Sequence, residues 1–189
     1  ITVRGCEIGY IGGSMLNETV RYGNGIEFVD NADTITVTGN WIYQCYDAVI
    51  THQSSYADGC KQNAIRFCDN LVEYCVYNIE YYVSQENGRI TDTVYQKNIL
   101  RFAGYGFGSE NRIGSSIRYA ANICNYARRM PSSDFSVIGN VLDSPRYNQL
   151  TVGCPNLSGV GPTVTGNSYI QKNAEVALIL GEDGSKTSL

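Results

Sequence analysis

Charged side chains are scarce in this chain, and they are not clustered by sign. Only 17% of its 189 residues are Asp, Glu, Lys or Arg, and the formal net charge is −4. Binding to the phosphates of a nucleic acid requires clustered Lys and Arg, whereas the 14 basic residues here are scattered. We therefore expect no nucleic-acid partner. The apolar fraction of 43% is high enough for a folded core.

Long apolar runs are also missing. No segment approaches the roughly 20 apolar residues that span a bilayer, so we expect no membrane partner. The chain opens directly in a strand-like segment, Ile1 to Cys6, without the pattern of a signal peptide. We therefore expect a mature or excised part of a larger protein. The repeat described below predicts that residues 1–189 form a single domain.

Metal-binding cysteine motifs are absent from the sequence. The seven cysteines form no CxxC pair, and no histidines stand at ligand spacing, because His52 is the only histidine. A zinc site is therefore not expected, and no cofactor is predicted. Most of the cysteines are better explained as small buried residues stacked in a repeating core.

What the sequence does contain is an internal repeat. Asparagine recurs between short alternating runs with spacings of 30, 28, 42 and 27 residues, at Asn40, Asn70, Asn98, Asn140 and Asn167. Three positions before each stands an apolar residue: Val37, Phe67, Tyr95, Val137 and Val164. Two positions after stands another: Ile42, Val72, Leu100, Leu142 and Tyr169. Small residues follow at the fifth position, and an earlier unit has Cys6 in place of Asn.

Short strands that repeat near 30 residues with constant inward offsets predict an all-β fold, a right-handed parallel β-helix of about six coils. Each strand is expected to pair with its counterpart one coil away. The Asn side chains are then expected to stack at one turn and to hydrogen-bond to one another. An antiparallel sandwich also has many short strands, but it does not require one offset to stay apolar through five successive units.

The period of two in a strand separates inward from outward positions. With Val49, Ile79 and Phe107 taken as inward, the following positions are expected to point outward: Glu27, Ile50, Glu80 and Gly108, then Val29, His52, Tyr82 and Glu110. Other residues come just upstream or close by in the chain: Asp47, Tyr77, Tyr105 and Arg112. One face is therefore expected to collect carboxylates and aromatic rings.

Such a face has the components of a sugar site, in which carboxylates act as acid and base and rings pack against pyranoses. Neighbouring coils lie about 4.8 Å apart, so the backbones of Glu27 and Glu80 are expected roughly 9.5 Å from each other. Asp47 comes from the coil between them and could replace either, so inverting and retaining hydrolysis both stay open. The predicted catalytic residues are Asp47, Glu80 and Glu27. The predicted substrate-binding residues are His52, Tyr77, Tyr82, Tyr105, Glu110 and Arg112.

The glycine-rich segment GYGFGSENRIG, residues 104–114, superficially resembles a phosphate-binding loop. No helix pattern and no GKS or GKT follows it. We predict a turn-rich loop that lines a groove and that contains Glu110 and Arg112.

Five runs of the sequence resemble known proteins: CEIGYIGGS (6–14), YGNGIEF (22–28), IYQCYDAVITHQ (42–53), YNIEYYVS (77–84) and GYGFGSENR (104–112). They are similar to secreted right-handed β-helix proteins of the pectate-lyase-like superfamily. More narrowly, they resemble bacterial β-helix glycoside hydrolases that act on plant cell-wall polysaccharides. The resemblance covers most of residues 1–145. It implies a secreted protein whose outer groove binds an oligosaccharide and whose acids, first Asp47 and Glu80 and then Glu27, are catalysts.

We therefore predict a glycoside hydrolase that acts on a polysaccharide with Asp47 and Glu80 or Glu27 as acid and base. A polysaccharide lyase is the enzymatic alternative. In the resembled superfamily lyases commonly hold calcium with acidic side chains and use a basic residue to abstract a proton, and outward Lys or Arg are scarce beside these acids. The third alternative is a non-catalytic β-helix that binds glycans or serves as an adhesin, because a fold does not fix a function.

Overall fold

The computed structural model confirms an all-β chain whose parallel strands stack into a solenoid. It describes residues 1–17, 20–54, 59–83, 87–110, 112, 120–125, 135–152, 163–172, 177–181 and 186–187. Three parallel sheets run along the solenoid, and successive strands of the chain enter them in rotation. Within these residues the single helical turn is α1 (Phe107–Glu110), and no helix is long and apolar enough to cross a membrane.

The first sheet contains the longest strands. Its order is β1 (Thr2–Arg4), β6 (Ala32–Thr38), β9 (Lys61–Cys68), β12 (Arg89–Gln96), β15 (Phe135–Ile138) and β18 (Thr163–Thr165). The pairing aligns Val37, Phe67, Tyr95, Val137 and Val164 in one column. The apolar column predicted three positions before each Asn is therefore confirmed.

The second sheet is built from strands of three residues each. Its strands are β2 (Glu7–Gly9), β7 (Trp41–Tyr43), β10 (Leu71–Glu73), β13 (Ile99–Arg101), β16 (Val141–Asp143) and β19 (Ser168–Ile170). The central residue of each faces the core, and the pairing aligns Ile8, Ile42, Val72, Leu100, Leu142 and Tyr169. This column was also predicted.

The third sheet closes each coil and carries the candidate site. Its parallel strands are β5 (Ile26–Val29), β8 (Ala48–Ser54), β11 (Tyr77–Val83), β14 (Ala121–Asn125), β17 (Asn148–Val152) and β20 (Ala177–Gly181). β21 (Lys186–Thr187) adds an antiparallel edge to β20. The insertion in the first coil forms a hairpin of β3 (Ser14–Asn17) and β4 (Val20–Tyr22).

The predicted inward column of Val49, Ile79 and Phe107 is wrong by one residue in the second coil. Ile79 pairs with Ile50, and Ile26 and Ile123 continue that column. Phe107 lies in α1 and not in a strand. The cause is a bulge at Asp47, whose carbonyl oxygen accepts from the backbone N–H groups of both Val76 (3.1 Å) and Tyr77 (3.3 Å).

About four turns, rather than the predicted six, have a fully buried interior. The first and last strands of the ladders contribute half-buried residues such as Val3, Ile8 and Tyr169, which cover the ends of the core. The right-handed winding stays an expectation from the general preference of parallel crossover connections.

The stack of asparagines is present as predicted. Asn40 Nδ2 donates to Asn70 Oδ1 at 2.9 Å, and Asn70 Nδ2 donates to Asn98 Oδ1 at 3.0 Å. The same bond continues to Asn140 and Asn167, at 3.0 Å each. The backbone N–H of each rung also donates to the next amide oxygen. The ladder therefore satisfies buried turn groups that no strand pairing reaches.

A second amide ladder lies in the third sheet and was not predicted. Asn78 Nδ2 donates to Asn122 Oδ1 at 2.7 Å, and Asn122 Nδ2 donates to Gln149 Oε1 at 2.8 Å. Val49 occupies the same position one coil earlier. Asn78 Oδ1 consequently has no donor among the described residues, although it is buried. The misplaced register hid this column, because it set Val49 beside Ile79 instead of Asn78.

Candidate functional site

Three polar residues occupy one outward column of the third sheet. Glu27 pairs with Thr51, and Thr51 pairs with Glu80, so the two glutamates lie two coils apart as predicted. Cys124 follows Glu80 in the next coil. Glu27 is exposed, Glu80 is half-buried and Thr51 is fully buried. We call Glu27, Thr51 and Glu80 the acid column.

The carboxyl group of Glu80 has a raised pKa. Burial is the main cause that raises its pKa, to about 8, and the negative charge of Asp47 adds to the effect. The hydrogen bond with the Thr51 side chain and the charge of Arg112 act in the opposite direction, and Glu27 raises the pKa further. The acid column therefore pairs a half-buried carboxyl group of raised pKa with an exposed carboxyl group.

Asp47 lies at the corner between the second and third sheets, with only 5% of its surface exposed. Its Oδ1 is 2.9 Å from Nη2 of Arg112, but Oδ1 has no well-aligned hydrogen-bond donor, so the contact is chiefly an ion pair. Burial raises the pKa of Asp47, the Arg112 guanidinium opposes that shift, and the charge of Glu27 adds to it. Asp47 is placed to act on Glu80 through its charge rather than to touch a ligand.

Arg112 reaches Asp47 from the long insertion of the fourth coil. Its side chain is 9% exposed, and its Nη1 donates to the carbonyl oxygen of Tyr46 at 3.2 Å. The guanidinium lies 5.5 Å from the ring of Tyr46 and 5.8 Å from the ring of Tyr77, within the range of cation–π attraction. These contacts tie the insertion to the second coil at the edge of the acid column.

The glycine-rich loop passes directly over the backbone of two earlier coils. A Cβ on Gly108 would lie 2.2 Å from the carbonyl oxygen of Tyr46, and one on Gly106 would lie 2.4 Å from that of Tyr74. The N–H of Phe107 donates to Gln44 Oε1 at 3.1 Å. The glycines thus permit backbone-on-backbone packing, and the segment is a turn-rich loop with one helical turn. Its resemblance to a phosphate loop is superficial.

The remaining predicted site residues separate into three groups. Tyr77 is 1% exposed and packs in a small cluster with Ala48 and Cys124, so it supports Arg112 instead of presenting a ring to solvent. Tyr105 and Glu110 instead gather around Arg146. The Arg146 guanidinium is 5.8 Å from the Tyr105 ring and 3.1 Å from Glu110 Oε1.

Two further predicted residues are described only as backbone. His52 and Tyr82 belong to β8 and β11, where His52 pairs with Phe28 and Tyr81, and Tyr82 pairs with Gln53. Their side chains lie outside the described residues. Their predicted contacts with substrate stay predictions.

Metal ligands are not clustered around the acid column. Across the described ranges, no group of three or more His, Cys, Asp or Glu side chains is placed to hold a metal ion. The chemistry that these residues can offer is proton transfer, because a carboxyl group of raised pKa lies in the same column as an exposed carboxyl group.

The chain was compared with known proteins by sequence and by structure. No protein-family model, no curated protein and no solved structure matches it.

Proposed function

We propose that this chain belongs to a secreted, carbohydrate-active β-helix protein, similar to the β-helix glycoside hydrolases of the pectate-lyase-like superfamily, which hydrolyses a polysaccharide. The observation that carries the proposal is the acid column, which aligns Glu27 and Glu80 on one outward face in contrasting environments. Glycosidases commonly use a pair of carboxyl groups in different environments, one as general acid and the other as base or nucleophile. The alternative explanation is that both glutamates are ordinary surface residues in contact with solvent. That explanation does not account for the half-buried position of Glu80.

Each residue has a distinct role in the proposed reaction. Glu80 is the general acid that protonates the leaving glycosidic oxygen, because its raised pKa keeps the proton available. Glu27 is the exposed base that activates water. Asp47 and Arg112 are positioning residues: the ion pair fixes the corner, and the Asp47 charge helps to keep Glu80 protonated.

The separation of the two glutamates favours inversion. Strands two coils apart have backbones roughly 9.5 Å from each other. Carboxyl groups about 6.5 to 9.5 Å apart leave room for a water molecule, whereas about 5 to 5.5 Å is needed for direct attack. Thr51 separates the two, so neither can move into the other's position within the column.

The test is incubation of the chain with a panel of plant and algal polysaccharides, followed by mass analysis of the products. Glu80→Gln and Glu27→Gln are each expected to lower the rate of sugar release by at least about 100-fold, the usual effect of removing an acid or base. Asp33→Asn is the control, because Asp33 is an exposed residue of the first sheet. Undiminished release by both glutamine variants would contradict the proposal.

Two other results would redirect the assignment. An unsaturated product that absorbs in the ultraviolet indicates a polysaccharide lyase. Binding of an intact glycan with no cleavage over long incubation indicates a non-catalytic glycan-binding protein or adhesin.

A further inference from the structure

Aromatic rings cover the outward side of the second sheet and the corner that follows it. We call this surface the aromatic face, and its rings are Tyr10, Trp41, Tyr43, Tyr74 and Phe102. Tyr10 is 72% exposed, Trp41 is 41% exposed and Tyr74 is 36% exposed. The rings come from four successive coils, so they form a strip along the solenoid. It lies on a different sheet from the acid column.

The rings touch one another in two groups. Tyr10 meets Tyr43 edge to face at 5.5 Å, and Tyr43 stacks on Trp41 at 4.5 Å. Tyr74 stacks on Phe102 at 4.9 Å. Such contacts restrict the rings before any ligand arrives, which lowers the entropy cost of binding.

Glu73 joins the first group to Arg101, whose guanidinium lies 5.3 Å from the Phe102 ring of the second group. Its Oε1 accepts from the indole N–H of Trp41 at 2.9 Å, and its Oε2 accepts from Arg101 Nε at 2.6 Å. Tyr43 in turn donates from its hydroxyl to Glu7 Oε1 at 2.8 Å. Gly9 makes room for this arrangement, because a Cβ there would lie 2.5 Å from the Tyr43 ring. Polar groups are thus fixed between the rings.

Several rings stand where the backbone disfavours them. Tyr10, Tyr74 and Phe102 have φ of 55°, 57° and 57°, in the left-handed region that favours glycine. The corner before the second sheet has the same φ, and there the chain uses Gly5, Gly39, Gly139 and Gly166 in four of its coils. Gln44 and Ser144 stand at the same corner with φ of 50° and 39°, so the left-handed conformation belongs to the corner itself, and three of the five coils described there place an aromatic ring at it.

We propose that the aromatic face binds a neutral polysaccharide that lies along the solenoid axis. Sugar rings present C–H groups to aromatic rings and hydroxyl groups to fixed carboxylates and guanidinium groups, and both kinds of partner alternate on this face. The outward positions of β2, β7, β10, β13 and β16 carry Glu7, Glu73 and Asp143 against Arg101, an acidic balance that repels uronates and sulfated chains. Tyr, Trp and Arg are enriched at the centre of protein interfaces, but Glu and Asp are depleted there. The outward Glu7, Glu73 and Asp143 therefore favour a sugar partner over a protein partner.

The proposal concerns a second surface, so it holds whether or not Glu80 is catalytic. The experiment is affinity electrophoresis of the full chain in gels that contain a neutral β-glucan, a neutral mannan or polygalacturonate. We expect retardation by a neutral polymer and none by polygalacturonate. Asp33→Asn, an exposed position of the first sheet, is expected to bind like the parent chain. Retardation is scored whether or not any sugar is released, which separates this test from the test of hydrolysis.

The decisive variant is Tyr74→Gly, because it removes a ring and also relieves its backbone conformation. We expect the dissociation constant to rise about tenfold while the melting temperature does not fall. Tyr22→Ala is the matched control, since Tyr22 is 54% exposed on the hairpin outside the face, and it is expected to bind like the parent chain. The proposal is overturned if no neutral polymer retards the chain, if Tyr74→Gly binds unchanged, or if the face instead holds a dimer that Tyr74→Gly dissociates.

Discussion

At the scale of single residues, the most unusual feature is the number of left-handed positions without glycine. Among the residues that the structure describes, eleven non-glycine residues have a positive φ. Three of them, Thr34, Ala64 and Asp92, share one column in the middle of the first sheet. A left-handed conformation costs a residue with a Cβ roughly 1 to 2 kcal/mol. The solenoid tolerates this conformational cost because successive coils must bend at the same position to stay in register with one another.

Replacing one of these residues by glycine should therefore stabilise the chain. Ala64, at φ 53°, has no polar side chain to compensate for its conformation. We expect Ala64→Gly to raise the free energy of unfolding by about 0.5 to 1 kcal/mol, after the greater freedom of glycine in the unfolded chain is subtracted. Urea denaturation measures the change. The matched control is Ala32→Gly in the same sheet, which should destabilise the chain; equal effects of the two would contradict the explanation.

At the scale of elements, the asparagine ladder links the coils at one corner. Asn98 Nδ2 donates to Phe67 O at 2.8 Å as well as to Asn140, and Asn98 Oδ1 accepts from two donors of Asn70. Loss of the Asn98 side chain would leave several buried hydrogen-bonding groups without a partner. Each such group lowers the free energy of unfolding by about 1 to 3 kcal/mol. One rung in the middle of the ladder therefore matters more than one at its end.

Asn98→Ala is expected to lower the free energy of unfolding by at least about 3 kcal/mol. The control is Asn167→Ala, at the half-buried end of the ladder, where water can replace the lost amide. It should cost less than half as much by urea denaturation. A similar loss in both variants would show that the ladder is not the source of the effect.

The insertion of the fourth coil packs against the second coil only because residue 108 is a glycine. A Cβ at this position meets the carbonyl oxygen of Tyr46 at 2.2 Å, so Gly108→Ala should lift the loop and separate Arg112 from Asp47. We expect trypsin to cleave after Arg112 at a protease concentration at least tenfold lower than in the parent chain. Ser109→Ala, one residue away, should keep the parent pattern. Unchanged cleavage in Gly108→Ala would contradict the proposed packing.

At the scale of the whole molecule, the raised pKa of Glu80 links stability to pH. The folded chain holds this proton with a pKa of about 8, whereas the ordinary value is 4.5. The contribution of Glu80 to stability is therefore complete below about pH 4.5 and is lost as the pH rises to about 8. The raised pKa of Asp47 contributes in the same direction.

Glu80→Gln should flatten the decline of the unfolding free energy between pH 5 and pH 8, because the amide does not titrate. Thr51→Val should have the opposite result, since it removes a hydrogen bond that favours the charged form of Glu80. The decline should then extend above pH 8. Guanidinium denaturation at a series of pH values measures both slopes, and parallel curves for the parent chain and Glu80→Gln would contradict the assignment.

The repeating columns made most of the fold predictable from the sequence. The register of the first two sheets was predicted by counting from each Asn of the ladder. The inward residue of the first sheet lies three positions before the Asn in every coil, and that of the second sheet lies two positions after it. The third sheet comes after a corner whose length varies: Ile50 is ten positions after Asn40, whereas Ile79 is nine after Asn70. A bulge of one residue absorbs the difference, and sequence spacing alone does not place it.

The positions of site residues could be predicted only in coils that lack the bulge at Asp47. Glu27 and Glu80 were assigned to one outward column correctly, since each follows its inward isoleucine directly. The burial of Asp47 and Tyr77 could not be predicted, because it depends on Arg112 returning from an insertion more than sixty residues later. The aromatic face was missed because three of its five rings, Tyr10, Tyr74 and Phe102, stand at corners, where a period of two gives no direction.

The asparagine ladder also gives the molecule a polarity. From Asn40 to Asn140, each amide donates from its nitrogen to the amide oxygen of the following coil, so the electric moments of these amides add along the axis. If one side-chain amide were flipped by 180°, its oxygen would face the oxygen of one neighbouring amide and its nitrogen would face the nitrogen of the other. The orientation of a single rung is therefore dictated by its neighbours, and the row behaves as one ordered line of dipoles from end to end.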